Sequence, residues 1–502
     1  MTRLLGLLVL LFPAALRAET VWETQEDDVT VVRITATPAD APSPLLKYRF
    51  ELPPMEQVEG NAAVDYRRAF AEGGIGQVWR GARKEWPSSL DDGGQAGVED
   101  WYSTEVPLSA LPLEQLASAS ARFDDSVDGF ARRGASRRRC DWELYIQDLT
   151  TPEVVSLLLP EFQELRSLSR AVALQTRFAL AERRFQDAAE LMRINYTMGR
   201  HAGNEPLLIC SLIGMALCST ADQNALELIG APGSPNLYWA LTQLPTPLVP
   251  IRDAMVGELD LAARSLPILR VSADETKTYD EWNALWNRSV RSMVEMLPLI
   301  GAPDPPPLAV ELLPTFVAAA GYAHAKARLA AWGYSAEQVE AMPVGQVLGL
   351  YTARVHREII DRQLAAASVP FSVGRPLYAA AEKRLRNQGP LGSDPDHELL
   401  PMDSMLLPAL GAARGAEVRL DRQIAALRVL EALRMHAAQN DGVLPGKLKE
   451  VTCVPIPLNP ATGKAFEYKL VDAPQGPTAI VTLPNSDGVP GNWRYELTIV
   501  AE

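Results

Sequence analysis

The sequence predicts a mainly α-helical protein: a body of helical hairpins and irregular helices, a short N-terminal strand region, and a small C-terminal α+β unit with an antiparallel sheet. Two observations predict this class. Between residues 151 and 439, apolar side chains recur every three or four positions, which is the period of one face of an α-helix. Over roughly the last sixty residues, apolar and polar side chains alternate instead, which is typical of half-buried strands.

Composition divides the 502 residues into four regions. Residues 1–18 form a leader, and residues 19–137 form a mixed region in which residues 29–35 are β-branched and alternate as one strand. Residues 138–400 form the helical body, and residues 401–502 form a long helix followed by a small antiparallel sheet. Such a length predicts two or three structural units.

The leader predicts export. Arg3 precedes an apolar run over residues 4–16, and Ala18 is a small residue before the polar Glu19. This order is typical of a secretory signal peptide, with cleavage expected after Ala18. The apolar run is too short for a permanent membrane span, which needs about 20 residues. We therefore expect a periplasmic or extracellular protein, with no transmembrane helix after removal of the leader.

Net charge argues against two classes of partner. The chain carries 48 Lys and Arg against 62 Asp and Glu, a formal charge of −14. Loss of Arg3 and Arg17 with the leader lowers this charge to −16. An acidic surface repels nucleic acid and anionic lipid, so we expect neither as a partner.

Four cysteines do not make a disulfide framework in so long a chain. Cys210 and Cys218 are eight residues apart on one predicted helix, about 12 Å in rise, so they cannot pair. A pair between Cys140 and Cys453 stays open.

The clearest helical pair begins the body. One apolar face runs from Leu165 to Ala179, and a second begins at Phe185 after a tight turn near Arg183 and Arg184. A third helix is expected from Pro206, a favoured first-turn residue. The pair resembles a tetratricopeptide-type hairpin. A solenoid needs about three repeats, and no second copy recurs at a fixed period.

The C-terminal region predicts a helix over about 406–439, buried along Leu420, Ile424, Leu427 and Leu430 and ended by Asn440 to Gly442. Strands are expected at residues 466–470, 479–483 and 493–499. The order of long helix, Gly442 to Pro445 turn, Pro-rich segment and strands resembles the C-terminal part of type II secretion pseudopilins. Their N-terminal apolar helix and peptidase site are absent here, so the resemblance implies shared local architecture.

Several blocks in order resemble a large family of exported proteins of planctomycete bacteria, and the resemblance covers nearly the whole mature chain. It implies export and brings no activity, cofactor or site. The blocks are Leu46 to Arg49, Gly60 to Ala63, Cys140 to Trp142, Ala231 with Pro232, Pro235 to Leu241, Val339 to Val344, Asn459 with Pro460, and Thr462 to Lys464.

Two sets of residues are candidate sites. The first set would suit a groove for a peptide or sugar, or equally a contact between helices. It consists of Trp142, and of Asn236, Tyr238 and Trp239 at a helix start. Asp394, Asp396 and His397 offer oxygen and imidazole ligands for a divalent ion, or a solvated loop that caps the next helix. No metal or other cofactor is expected.

No catalytic motif names a reaction. The sequence lacks a GxSxG elbow, a phosphate-binding GxxxxGK[ST] loop, GxGxxG and HExxH, and it contains only five histidines. We therefore expect a binding or scaffolding protein of the cell envelope, with a protein or peptide as its partner. The alternative is an envelope hydrolase that uses carboxylates, which requires two or more acids converging in a deep pocket.

Overall fold

The structure is a computed structural model that describes residues 21–71, 73–89, 94–146, 159–300, 303, 305–385, 396–486 and 488–501. The predicted leader and Asp394 lie outside these residues. Within them the protein is mainly helical, with a strand unit built from the two ends of the chain. The predicted fold class is confirmed.

The strands are β1 (Val21–Glu26), β2 (Val29–Ala36), β3 (Val58–Asn61), β4 (Arg137–Arg139), β5 (Glu467–Ala473), β6 (Gly476–Leu483) and β7 (Trp493–Ile499). The main helices are α1 (Ala62–Phe70), α2 (Ile75–Glu85), α3 (Leu113–Ala121), α4 (Pro160–Ala181), α5 (Phe185–Gly203), α6 (Leu208–Gly230), α7 (Tyr238–Thr242), α8 (Arg252–Ser265), α9 (Tyr279–Met296), α10 (Pro307–Ala331), α11 (Ala336–Ala341), α12 (Val344–Ala367), α13 (Phe371–Leu385) and α14 (Met402–Gln439).

Strands from both chain ends form one five-stranded sheet in the order β1-β2-β7-β6-β5. The predicted C-terminal strands pair antiparallel, as do β1 and β2. The exception is β2 with β7, which run parallel, with Val32 opposite Tyr495. Parallel neighbours need a long crossover, and here the whole helical body lies between them. The predicted N-terminal mixed region, residues 19–137, and the predicted C-terminal region therefore share a sheet.

The predicted hairpin is α4 with α5. Its turn is where the sequence places it: Arg183 has φ +61°, and the Arg184 amide donates to the Ala179 carbonyl at 2.8 Å. The third helix, α6, begins at Leu208, two residues after the predicted Pro206.

Helices α5 and α6 cross at glycines. A Cβ added at Gly214 would lie 2.3 Å from the Gly199 carbonyl oxygen and 3.0 Å from the Gly203 nitrogen. At these distances no side chain fits, so the two backbones touch directly. This close approach lets α5, α6 and α4 share one core.

The longest helix, α14, lies against α6, α7 and the sheet. Its predicted stripe, Leu420, Ile424, Leu427 and Leu430, is buried. It begins at Met402, four residues before the predicted start, and ends where predicted, as Gly442 adopts φ +82° and its amide donates to the Ala437 carbonyl.

Helix α9 was not predicted. Thr278 and Glu281 form a reciprocal capping box at its start, and Trp282 and Trp286 are buried on its inner face. The box follows the expected pattern for a helix N-terminus, so the signal was present in the sequence.

All four cysteines are free. Cys210 and Cys218 are fully buried, and Cys140 and Cys453 are half-buried.

Candidate binding groove

A cavity of about 270 Å³ lies where one face of α14 meets two proline-rich loops. One loop follows α7 and contains Pro245 and Thr246. The other precedes the sheet and contains Pro455, Pro457 and Pro460. Its remaining lining residues are Leu241, Leu244, Asp421, Ile424, Ala425, Arg428, Ile456 and Leu458.

The α14 wall is a consequence of helical spacing. Asp421, Ile424, Ala425 and Arg428 are separated by three, one and three positions, so they lie on one face. The two ends of this stripe are charged and its middle is apolar. A ligand lying along the groove would therefore meet a carboxyl group and a guanidinium about two helical turns apart.

The second loop is held by a hydrogen bond from α7 and by hydrogen bonds within the loop. The Tyr238 hydroxyl donates to the Pro455 carbonyl. Asn459 is buried, its side-chain oxygen accepts the Ala461 amide at 3.0 Å, and its backbone pairs with Lys464. Because prolines lack an N–H and fix φ, this wall is stiff and presents apolar rings.

Arg428 is the unpaired cation of the groove. Its guanidinium lies over the Tyr238 ring, 5.4 Å from the centroid, and Nη2 donates to the Tyr238 hydroxyl at 3.4 Å. Nε is buried and makes no hydrogen bond. No carboxylate among the described residues lies within ion-pair distance of it. A guanidinium in this condition is suited to an anionic oxygen from outside the chain.

Asp421 is positioned by the first loop. Its Oδ1 accepts the Leu248 amide at 2.9 Å. Burial raises the pKa of this carboxyl to about 7, against the opposing effects of the Leu248 hydrogen bond and Arg414. The group therefore changes protonation near neutral pH.

None of the predicted residues Asn236, Tyr238 and Trp239 lines this groove, and Tyr238 contacts two residues that do. Asn236 is buried and donates to the carbonyls of Ala39 and Glu431. Tyr238 is 1% exposed and supports both Arg428 and Pro455, while the half-buried Trp239 packs edge-on against its ring. Tyr238 thus supports the groove from outside its lining, whereas Asn236 joins α14 to the segment after β2. Two residues that do line the groove, Asp421 and Arg428, were not predicted as site residues.

Trp142 lies elsewhere, in the core. It has no exposed area, its amide donates to Glu205 Oε1 at 3.0 Å, and its ring packs against Tyr66 and Phe162. These are the contacts of a structural side chain.

Two of the three candidate metal ligands, Asp396 and His397, lie in the described part of the chain, and each has contacts with other side chains or backbone groups. Asp396 is paired with Arg328, Oδ1 to Nη2 at 2.6 Å. His397 is buried, packs on the His324 ring and accepts the Tyr351 hydroxyl at its carbonyl oxygen. Among the described residues, no three His, Cys, Asp or Glu side chains are arranged to hold a metal ion.

Two acids do converge at the start of α14. His356 Nδ1 lies 2.8 Å from Asp403 Oδ1, and the Asp403 amide donates to Glu398 Oε1 at 2.7 Å. Burial and the Asp403 charge raise the pKa of Glu398 to about 8. The three side chains are buried, and none of them lines the groove described above. Asp421 is the one carboxylate among the described residues that line the groove.

One described helix is apolar and little buried. By length and apolar composition alone, α10 is able to cross a membrane, and little of its apolar stretch is buried. Leu308, Leu312 and Phe316 are 66%, 57% and 69% exposed along one stripe.

Comparison with protein-family models, with curated proteins and with solved structures finds no match to this chain.

Proposed function

We propose that this protein is an exported binding protein of the cell envelope, and that its groove receives an extended segment of a peptide or partner protein. The observation that carries the proposal is Arg428, whose guanidinium lies among proline and leucine side chains and has no carboxylate partner in the described parts of the chain.

The walls favour a peptide over a polar small molecule. Leu241, Leu244 and Ile424 are buried behind the surface, and Leu458 is 58% exposed at the rim. Apolar pockets with few polar groups are typical of ligand sites, where the polar groups set orientation. A volume of about 270 Å³ is at the lower limit for ligand pockets, which fits one or two side chains of a longer chain.

The charged ends fix the orientation of that segment. A carboxylate of the peptide, at its C-terminus or on an acidic side chain, would accept from Arg428. Asp421, at the other end of the stripe, would accept a backbone N–H. The partner is then an apolar segment with one anionic group.

A peptide-binding assay on the mature chain tests this. Fluorescent eight-residue peptides rich in Leu and Pro, each with a free or an amidated C-terminus, would be titrated and followed by anisotropy. We expect saturable binding that Leu458→Glu weakens about tenfold or more, because a charge then stands in the apolar rim. The matched control is Leu113→Glu, at 45% exposure on α3 and outside the groove.

A second variant tests the expected preference of the groove for peptides with a free carboxylate. Arg428→Gln should reduce the affinity for free-carboxylate peptides and leave that for amidated peptides nearly unchanged. The proposal would be refuted if Leu458→Glu and Leu113→Glu weakened peptide binding equally, or if no peptide bound saturably.

A further inference from the structure

A second cavity, of about 110 Å³, lies between β4, the end of α5 and the segment before β3. It shares no lining residue with the groove. Its charged lining consists of Arg137, Arg138 and Arg200 against a single acid, Glu51. Each of these arginines also pairs with one acid: Arg137 with Asp65, Arg138 with Glu59 and Arg200 with Glu51. The surplus of positive charge comes from Arg68 and Arg133, which share Asp65 with Arg137.

The first arginine is held rigidly. Arg137 Nε donates to Asp65 Oδ2 at 2.7 Å, and its Nη1 donates to the Glu59 carbonyl at 2.6 Å. Gly60, at φ +132°, has no room for a Cβ, which would lie 2.9 Å from Arg137 Nη1. The remaining nitrogen, Nη2, has no acceptor in the described chain.

The negative charge of Asp65 is shared between Arg137 and two other arginines. This carboxylate is 1% exposed and also accepts from Arg133 Nε at 2.8 Å, with Arg68 at 3.6 Å. Because three guanidinium groups share one carboxylate, positive charge remains beside the cavity.

The other two arginines have donors to spare. Arg138 uses Nη1 on Glu59 and Nη2 on the Pro54 carbonyl, and Arg200 uses Nη1 on Glu51 Oε1 at 3.0 Å. Arg200 keeps Nε and Nη2 unused within the described residues. The Nε and Nη2 groups of Arg200 form a fork that matches an oxygen pair of phosphate or sulfate.

Neutral polar groups complete the lining. The Thr197 hydroxyl donates to the Arg193 carbonyl at 2.9 Å and Gln57 Nε2 donates to the Leu52 carbonyl at 3.0 Å, and Asn204 adds a second amide group. His201 Nδ1 is hydrogen-bonded to the Tyr66 hydroxyl at 2.9 Å. Burial and the neighbouring Arg200 lower the pKa of His201 to about 3, so the ring is neutral at pH 7 and the arginines supply the charge.

We propose that this cavity binds a tetrahedral oxyanion, the phosphate or sulfate group of a small molecule, through Arg137, Arg138 and Arg200. A planar carboxylate presents two oxygens in one plane, whereas a tetrahedral oxyanion presents oxygens in several directions to three arginines. Recognition is thus expected to favour tetrahedral over planar anions.

Isothermal titration calorimetry of the mature chain tests the site with sodium phosphate, sodium sulfate and sodium acetate as separate probes at constant ionic strength. We expect saturable binding of phosphate or sulfate, with acetate about tenfold weaker or more. The relative affinities of phosphate and sulfate identify the group that the site prefers.

A pair of variants on one strand locates the binding. Arg138→Gln removes a lining cation that is 52% exposed, and we expect about tenfold weaker binding. Arg139→Gln makes the same charge change at the next, exposed position, which is not part of the lining, and should change affinity less than twofold. The proposal would be overturned if neither phosphate nor sulfate gave saturable heat, or if acetate bound as tightly as they do. It would also be overturned if Arg138→Gln and Arg139→Gln lost the same amount of affinity.

Discussion

Arg434 donates from Nε to the carbonyl oxygen of Thr37 at 3.0 Å, although 397 positions separate the two residues. Its other nitrogens bond to Glu431 and Ser234, and neither charged side chain of the Arg434–Glu431 pair is exposed. One buried cation on α14 therefore joins the segment after β2, the segment before α7, and α14 itself.

Replacement of Arg434 tests this junction. Arg434→Met would leave Glu431 buried without its cation, and loss of one partner of a buried pair costs about 3–5 kcal/mol. We expect this decrease in the free energy of unfolding, measured by urea denaturation. The control is Arg354→Met, which removes an exposed pair with Glu358 on α12 and should change stability by less than about 1 kcal/mol. Equal effects would contradict the assigned role.

At the crossing of α5 and α6, a Gly→Ala substitution should have the opposite effect on stability to the same substitution elsewhere. Gly214→Ala places a methyl group 2.3 Å from the Gly199 carbonyl oxygen, and overpacking of this kind costs about 1–3 kcal/mol. Gly411→Ala, within α14, meets nothing within 4 Å and should stabilise by up to about 1 kcal/mol through helix propensity. Thermal unfolding of the two variants would show shifts of opposite sign. A Gly214→Ala protein as stable as the wild type would contradict the close crossing.

Stability should fall between weakly acidic and alkaline pH. Asp222 accepts the Tyr196 hydroxyl at 2.7 Å, and burial raises its pKa to about 8. An unfolded Asp titrates near pH 4, so the folded state retains a proton that the unfolded state releases. The stabilisation is complete below about pH 4 and is lost as pH rises through about 8. Glu398 and Asp421 act in the same direction, since burial raises their pKa values to about 8 and about 7.

Urea denaturation at pH 5.5 and pH 8.5 measures this effect. We expect a lower free energy of unfolding at pH 8.5, and Asp222→Asn should reduce the difference by on the order of 2 kcal/mol. Asp253→Asn, at an exposed position of α8, serves as the control and should leave the difference unchanged. The same pH difference in Asp222→Asn and wild type would show that this carboxyl does not carry it.

Export remains a proposal with a direct test. N-terminal sequencing of the protein from an envelope fraction should give Glu19 as the first residue, because the predicted cut follows Ala18. Recovery of an intact Met1 terminus from the cytosol would refute export.

Local patterns predicted several elements of the structure, although not helix α9 or strand β1. The turn at Arg183, the end of α14 at Asn440 and the strand at Trp493 follow from helical period, glycine and alternation. The pairing of β2 with β7 was not predictable in this way, because strand pairing across the whole chain depends on the packing of everything between. The spacing of Asp421 and Arg428 was visible in the sequence. Their role depends on two loops, near Pro245 and Pro457, that only the tertiary fold brings opposite them.

Hydrogen–deuterium exchange of the mature chain, with and without its best-binding peptide, tests the groove most directly. We predict slower exchange in residues 241–248 and 455–460, and loss of that protection in Leu458→Glu but not in Leu113→Glu. Protection confined to another surface, such as the exposed stripe of α10, would contradict the groove as the binding site.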